Sequence, residues 1–412
     1  MSIDLAKVPF SRRLSYISAT VENGNICVHV QRRTYAEGSE KSHCIKLFFT
    51  ADGKKPHCEY SADVSKLTVS AENAGYAELA FDDSGALRVR CKGVSLQAEP
   101  NDLFDVAAVS ENEYAIFERG YAPDEFTAFD DCVRDAQADF DAWYAMYPEV
   151  GEKHDALKRM CVYMIWVCQI APRGELKEAA ILFSKPTEQA CFSWHQVFHS
   201  LLMNDADHAV QTLMNLFPNM DAQGELPDLV DDRYVNITAT KPPIHGLAAL
   251  IFLERFGNAL TPEHCRKMYE GLSKLCDYWT RKRGFGQTLP FYKHGCESGY
   301  DFSAMFAKGA PVIGPDLLSY CILLSEACGK LAERLNLTDS SKWFDLSEQL
   351  LSALLSDFWI GTRFAARLAD SYEIVEFDEL EAYLPMILGG RLPENIINAM
   401  AEDLADLEHY FT

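Results

Sequence analysis

Apolar and polar residues alternate through the first part of the chain. Ile26, Val28 and Val30 alternate with Cys27, His29 and Gln31, the period of a half-buried strand. The run ISATV, the turn Glu22-Asn23-Gly24-Asn25 and the run ICVHVQ together predict a hairpin. KLFFTADGKKPHCEY repeats the idea, with Asp52-Gly53 as its turn. Further short strands follow through KLTVSAENAGYAELAFDDSGALRVRCKGVSLQ, and the series predicts a β-sandwich over residues 1–120.

The period changes after Ala122-Pro123. PDEFTAFDDCVRDAQADFDAWYAMYP has helical spacing and many acids, which predicts a linker helix within 121–150. From residue 151 to residue 412 the pattern is helix and loop. Leu157, Met160, Cys161, Met164, Ile165 and Cys168 form one apolar stripe. Leu317, Tyr320, Cys321, Leu324, Cys328, Leu331 and Leu335 form another, behind a start at Pro315-Asp316. Trp343, Leu346, Leu350, Leu354 and Phe358 form a third. Pro242-Pro243 opens a helix through IHGLAALIFLERFG, and the glycine ends it. Helix pairs joined by glycine- and aromatic-rich loops point to an α/α toroid, although periodicity does not separate a toroid from a solenoid. The expected architecture is a β-sandwich followed by an (α/α)6-type toroid.

Composition narrows the function classes. The 412 residues carry a formal charge of -23, which disfavours polyanionic nucleic acid and anionic membrane surfaces as partners. No apolar run is long enough to span a bilayer, and the N-terminus has no apolar core of a secretory signal. The 13 scattered cysteines include no C-x-x-C pair and fit core thiols of a reducing cytoplasm. His195 and His199 share a helical face without a clear third ligand, so core or capping roles fit them better than a metal. Met203 and Met214 read as helix core. No cofactor motif occurs; a structural calcium is left open, without an EF-hand spacing to support it.

Three clusters carry candidate chemistry. Phe192-Ser193-Trp194-His195-Gln196 offers an indole face and polar groups at a helix entry, suited to a sugar; the plainer alternative is a packed Trp with a capping His. Gly224-Glu225-Leu226-Pro227-Asp228 and Thr240-Lys241-Pro242-Pro243 read as charged turns. Tyr292 to Ser303 places Glu297, Tyr300 and Asp301 in a glycine-interrupted, aromatic-flanked loop. Inverting glycoside hydrolysis needs a protonated carboxyl at the leaving oxygen and a second carboxylate about 6.5–9.5 Å away to activate water. Partial burial among aromatics favours the protonated form of a carboxyl. Asp301 is the candidate acid, and Glu297 grips hydroxyls or orients the loop; an acidic turn remains the plain alternative.

Taken in order, these clusters resemble the glycoside hydrolase family 63 and family 37 (trehalase) group. ESGYDFSAMF resembles the motif Glu-Ser-Gly-Trp-Asp-Phe-Ser, whose Asp is the general acid and falls on Asp301. FSWHQVFHSLLMNDADHAVQTLMNLF, GELPDLV, TKPPIHGLAAL and GPDLLSYCILLSEACGKLAERLN resemble successive segments of the same group. The resemblance implies an (α/α)6 toroid over roughly residues 150–412. It also implies an inverting α-glycosidase acting on α-glucosides or small α-linked oligosaccharides. Phe192, Trp194, His195, Asp228, Lys241, Glu297 and Tyr300 are the expected sugar contacts. Two departures stand out. The group's Trp-Asp pair is Trp194-His195 here, and a neutral His is not a carboxylate. No segment like the group's Trp-Arg-Gly-Pro-Val-Trp, which precedes its general base, occurs before the closing LADLEHYFT. The expectation is therefore a toroid that is only partial, completed by self-association or a second chain. The alternative is a non-catalytic carbohydrate-binding or truncated glycosidase-like protein, and a third reading is a helical interaction scaffold with no sugar chemistry.

Overall fold

The structure is a computed structural model and describes residues 3–5, 7–30, 44–99, 101–185, 190–283 and 289–406. Gln31 and residues 407–412 of the expected terminal segment lie outside the described residues. The chain forms two compact units, 1–191 with 231–234, and 192–230 with 235–412.

The first unit is β-rich. Its strands are β1 (Ile17–Glu22), β2 (Asn25–Val30), β3 (Cys44–Thr50), β4 (Cys58–Ala62), β5 (Leu67–Ala71), β6 (Gly75–Phe81), β7 (Leu87–Lys92), β8 (Ser95–Ala98), β9 (Phe104–Ser110) and β10 (Glu113–Glu118). They pair antiparallel in two sheets, ordered β1-β2-β3-β8 and β4-β5-β6-β7-β10-β9. The expected first hairpin is present, with Glu22 opposite Asn25 and positive φ at Asn23 and Gly24. Ile26, Val28 and Val30 are buried, but so is Cys27, so that strand is covered on both faces there.

The second expected hairpin is corrected. Asp52-Gly53 does make a tight turn, closed by Ala51 and Lys54. The segments beyond it do not pair: β3 joins β2 and β8, while β4 joins β5. Pro56 stands just before β4 and has no N–H to give to a ladder. The chain thus passes from one sheet to the other.

The domain boundary near residue 150 is also corrected. Helix α1 (Phe129–Ala145) buries Phe129, Cys132, Ala136, Phe140 and Trp143, one face at helical spacing. Phe129 and Cys132 cluster with Ala80 of β6. Arg90 of β7 reaches Asp130 at 2.8 Å and stacks over Phe129 at 4.3 Å. A helix that covers a sheet in this way is part of the unit, not a linker. Helix α2 (Glu152–Val167) belongs there too, donating from Tyr163 Oη to the Pro9 carbonyl at 2.8 Å. Its expected stripe is misphased: Leu157 and Cys161 are exposed, and the buried face carries Val162, Tyr163, Trp166 and Val167. The aromatic rings decide the rotation, because Tyr163 and Trp166 both pack against Phe140 of α1.

The second unit is helical. It contains α3 (Ser193–Leu202), α4 (Ala206–Met214), α5 (His245–Phe256), α6 (Pro262–Asp277), α7 (Pro315–Arg334), α8 (Ser340–Ala353) and α9 (Glu394–Leu404). Helix α7 is buried almost all round and packs against α5, α6 and α8. Its expected stripe is buried from Leu317 to Leu331, and the stripe of α8 is buried at Trp343, Leu350, Leu354 and Phe358. Met203 and Met214 are core residues. Helix α5 ends at Gly257, where φ is 48°. Its Gly246 meets the backbone of α7 directly: a Cβ there would lie 2.3 Å from the Leu324 Cα.

Candidate active site

Three loops converge in the second unit, each feeding the N-terminus of a helix. Phe192 immediately precedes α3, residues 226–230 and 235–244 lead into α5, and residues 289–314 lead into α7. Such loops are free to vary while the helices behind them hold position. The first two are tied by a backbone bond from Ser193 N to the Asp228 carbonyl at 2.7 Å, and the second is held on itself by Asp228 N donating to the Asn236 carbonyl at 2.8 Å.

Their side chains enclose a cavity of about 640 Å³. Phe192, Trp194, His195, Asp228, Lys241, Tyr300 and Asp301 line it, although they come from distant parts of the sequence. Trp194 is half-buried rather than a core residue, and it meets Tyr300 edge-on at 6.2 Å. Its ring lies over Gly299, where φ is +82° and a Cβ would come 2.1 Å from a ring carbon. Position 299 therefore excludes every side chain twice, by conformation and by space. Asp228 is almost buried and sits 3.9 Å from Lys241, whose ammonium donates to the Cys296 carbonyl. The two charged turns of the sequence are thus one acid-base pair facing the cavity.

Of the two roles expected of Glu297, its surroundings fit orienting the loop rather than contacting sugar. It does not line the cavity and is 1% exposed. Its carboxylate is paired with buried Arg283 and accepts from Lys293 N at 2.6 Å. Arg283 in turn stacks over Trp279 at 4.4 Å. An acid paired in this way, away from the cavity lining, is placed to hold the loop in shape.

Asp301 also differs from expectation, because it is exposed. Ser298 Oγ donates to the Gly295 carbonyl at 2.8 Å and accepts from Tyr300 N at 3.0 Å. That turn pushes Tyr300, Asp301 and Phe302 outward, and Phe302 is fully exposed. Asp301 and Tyr300 form a shared wall. On their other side lies a second, shallower compartment of about 410 Å³ with Phe302, Ser303, Glu379, Leu380 and Glu381.

Two further buried acids were given no site role by the sequence analysis. Glu381 is 1% exposed, with no hydrogen-bond partner at Oε1. Burial, and then the charge of Glu379, raise its carboxyl above the usual range, against a hydrogen bond from Ser303. Asp316, at the start of α7, is wholly buried and accepts from Tyr292 Oη at 2.7 Å. Burial, with the Glu381 charge adding to it, raises it to about 7. Asp316 was visible only as an acid in a helix's first turn, a position that gives no hint of burial. Glu381 had no local pattern to mark it.

Among the described residues no group of three or more His, Cys, Asp or Glu could hold a metal ion. No described helix is long and apolar enough to cross a membrane.

Residues 185–412 match the family described as the mannosylglycerate hydrolase MGH1-like glycoside hydrolase domain. No curated protein matches the chain. Three solved structures share parts of its shape. The GH63 mannosylglycerate hydrolase from Thermus thermophilus, in complex with Tris and D-glycerate, is 14% identical over 57% of this chain and 73% of its own, with a TM-score of 0.46. The neutral trehalase of Saccharomyces cerevisiae is 10% identical over 54% of each chain, with a TM-score of 0.45. A bacterial glucoamylase complexed with acarbose is 10% identical over 87% of this chain and 67% of its own, with a TM-score of 0.49.

Proposed function

This chain belongs to the MGH1-like glycoside hydrolase family, and on that premise we propose that it is an inverting α-glycosidase of small α-linked oligosaccharides or glucosides. The observation that carries the proposal is the place of Asp301. It stands, with Tyr300, in the wall between two compartments, where the bond joining two sugar units would lie. In the first compartment Trp194 offers an indole face, and His195, Asp228 and Lys241 offer donors and acceptors for hydroxyls. Asp301 would give its proton to the glycosidic oxygen as the C–O bond breaks. A water molecule would attack the anomeric carbon from the opposite face and lose a proton to a second carboxylate. Asp301 is open to solvent, so the bound sugar itself must supply its cover. Cysteines that are all unpaired fit a reducing, cytoplasmic setting.

The test is sugar released from a panel of α-linked disaccharides by the wild-type chain and by Asp301→Asn. Loss of a general acid costs roughly 10²–10⁴-fold, and the first anomer released should be β. Undiminished turnover by Asp301→Asn would remove Asp301 from the mechanism. The exposure of Asp301 favours one second reading, a protein that binds sugar without cleaving it. Calorimetric binding with no released sugar would establish that reading.

A further inference from the structure

We propose that Asp316 is a positioning residue for Asp301, clasping through Tyr292 the neck of the loop that carries it. The proposal rests on the glycosidase reading and deepens it, by naming what holds the general acid in place.

The side chain of Asp301 is exposed, so its place is set by the loop rather than by packing around it. That loop is closed at a neck. Tyr292 and Val312 exchange backbone bonds in both directions, at 2.8 and 2.9 Å, and both residues are wholly buried. Residues 293–311 run between them and include Asp301. Asp316 adds a side-chain tie to this neck. It is the second residue of α7, wholly buried, and accepts from Tyr292 Oη at 2.7 Å. One end of the loop is thereby bonded to the helix that follows the other end. Gly314 leaves the room this needs, since a Cβ there would lie 2.2 Å from Asp316 Oδ1 and 3.0 Å from a carbon of the Tyr292 ring. Tyr292 meets Trp279 edge-on and is tilted against Phe306 of the loop itself, each at 6.2 Å, which fixes where its hydroxyl points. Burying a carboxyl costs free energy that an apolar side chain of similar size would not. A bond to the head of the loop gives this carboxyl a role that bulk packing does not. The role bears on chemistry, because a displacement of about 1 Å in a reacting group costs on the order of 100-fold.

Three variants test the clasp: Asp316→Ala, Asp316→Asn and Tyr292→Phe. They are assayed at about pH 6, below the value of about 7 to which burial raises Asp316, and at a temperature where each chain is fully folded. Asp316→Ala and Tyr292→Phe break the bond. Each should lower kcat roughly 10- to 100-fold and leave KM within about 3-fold, because the sugar contacts stay while the acid is misplaced. Asparagine has the shape of the neutral carboxyl and keeps an oxygen for Tyr292, so Asp316→Asn should recover most of the kcat lost in Asp316→Ala. Hydrogen exchange read by mass spectrometry should quicken on the order of 10-fold within 293–311 in the two broken variants. It should stay at the wild-type level in α8, and throughout Asp316→Asn. Unchanged exchange in both broken variants overturns the proposal. So does exchange that quickens equally across the helical unit, the mark of a general loss of stability, and so does an asparagine variant no better than the alanine one. Should Asp316→Ala fail to fold, Tyr292→Phe decides the matter alone. If no chain cleaves any sugar, the hydrolytic reading falls by itself, and the pattern of exchange still decides the clasp.

Discussion

Glu297 and Arg283 lie 14 residues apart in the chain yet form a buried pair, with side chains 2% and 0% exposed. Glu297→Gln keeps the shape of the side chain and removes its charge. Arg283 would then be left charged and unpaired in the interior. Breaking one partner of such a pair costs about 3–5 kcal/mol. For a unit of this size, each kcal/mol moves the midpoint by ~2–4 °C, so a drop of roughly 6–20 °C is expected. Thermal unfolding followed by circular dichroism would show it, with Arg283→Met and the double variant completing a cycle. The double variant should recover much of the loss, since no bare charge remains. A Glu297→Gln chain that melts with the wild type but no longer binds sugar would refute this account. It would restore Glu297 as a direct contact.

Other perturbations separate fold from site. Gly299→Ala should displace Trp194, costing about 1–2 kcal/mol for the left-handed backbone and about 1–3 more for crowding, seen as changed Trp emission and lost sugar affinity. Phe302→Ala should leave stability within about 0.5 kcal/mol, because the ring is fully exposed. It should lower kcat/KM roughly 2- to 10-fold, the scale of one aromatic contact. Asp316 holds its proton to about pH 7 in the folded chain, whereas an unfolded chain releases it near 4. Stability from this group is therefore complete below about pH 4 and lost as pH rises to about 7. Asp316→Asn should thus exceed the wild type by roughly 2–4 kcal/mol at pH 8 and match it near pH 4, read from denaturant midpoints. Burial drives His245 down to about 3, so acid destabilises both chains alike and cancels in that comparison.

Much of the helical unit was legible because one signal decides it. The stripes of α7 and α8 are aliphatic along most of their length, and such a helix buries the face its period marks. Helix α2 mixes aliphatic residues on one side with Tyr163 and Trp166 on another, and the larger rings took the core. The Asn23-Gly24 hairpin is local and could be read locally. The passage from β3 to β4 depends on which sheet each strand joins, which no turn records. The site divides in the same way. Trp194, Asp228, Lys241 and Asp301 stood out by type and order, and the structure brings them to one cavity. The role of Glu297 depends on Arg283, and that of Glu381 on Ser303 and on burial; neither partner sits at a spacing that advertises it.

The contact between Gly246 and Leu324 has a consequence at a distance. With no side chain between them, α5 and α7 touch backbone to backbone, so α7 cannot roll or slide without breaking that seam. Leu324 is eight residues from Asp316, about 12 Å along the helix. Asp316 bonds Tyr292, at the head of the loop that carries Asp301. A methyl group added at Gly246 would therefore be felt as misplaced chemistry at a position that no sugar touches. Variants selected for altered substrate preference could arise in this dry seam as readily as in the cavity itself.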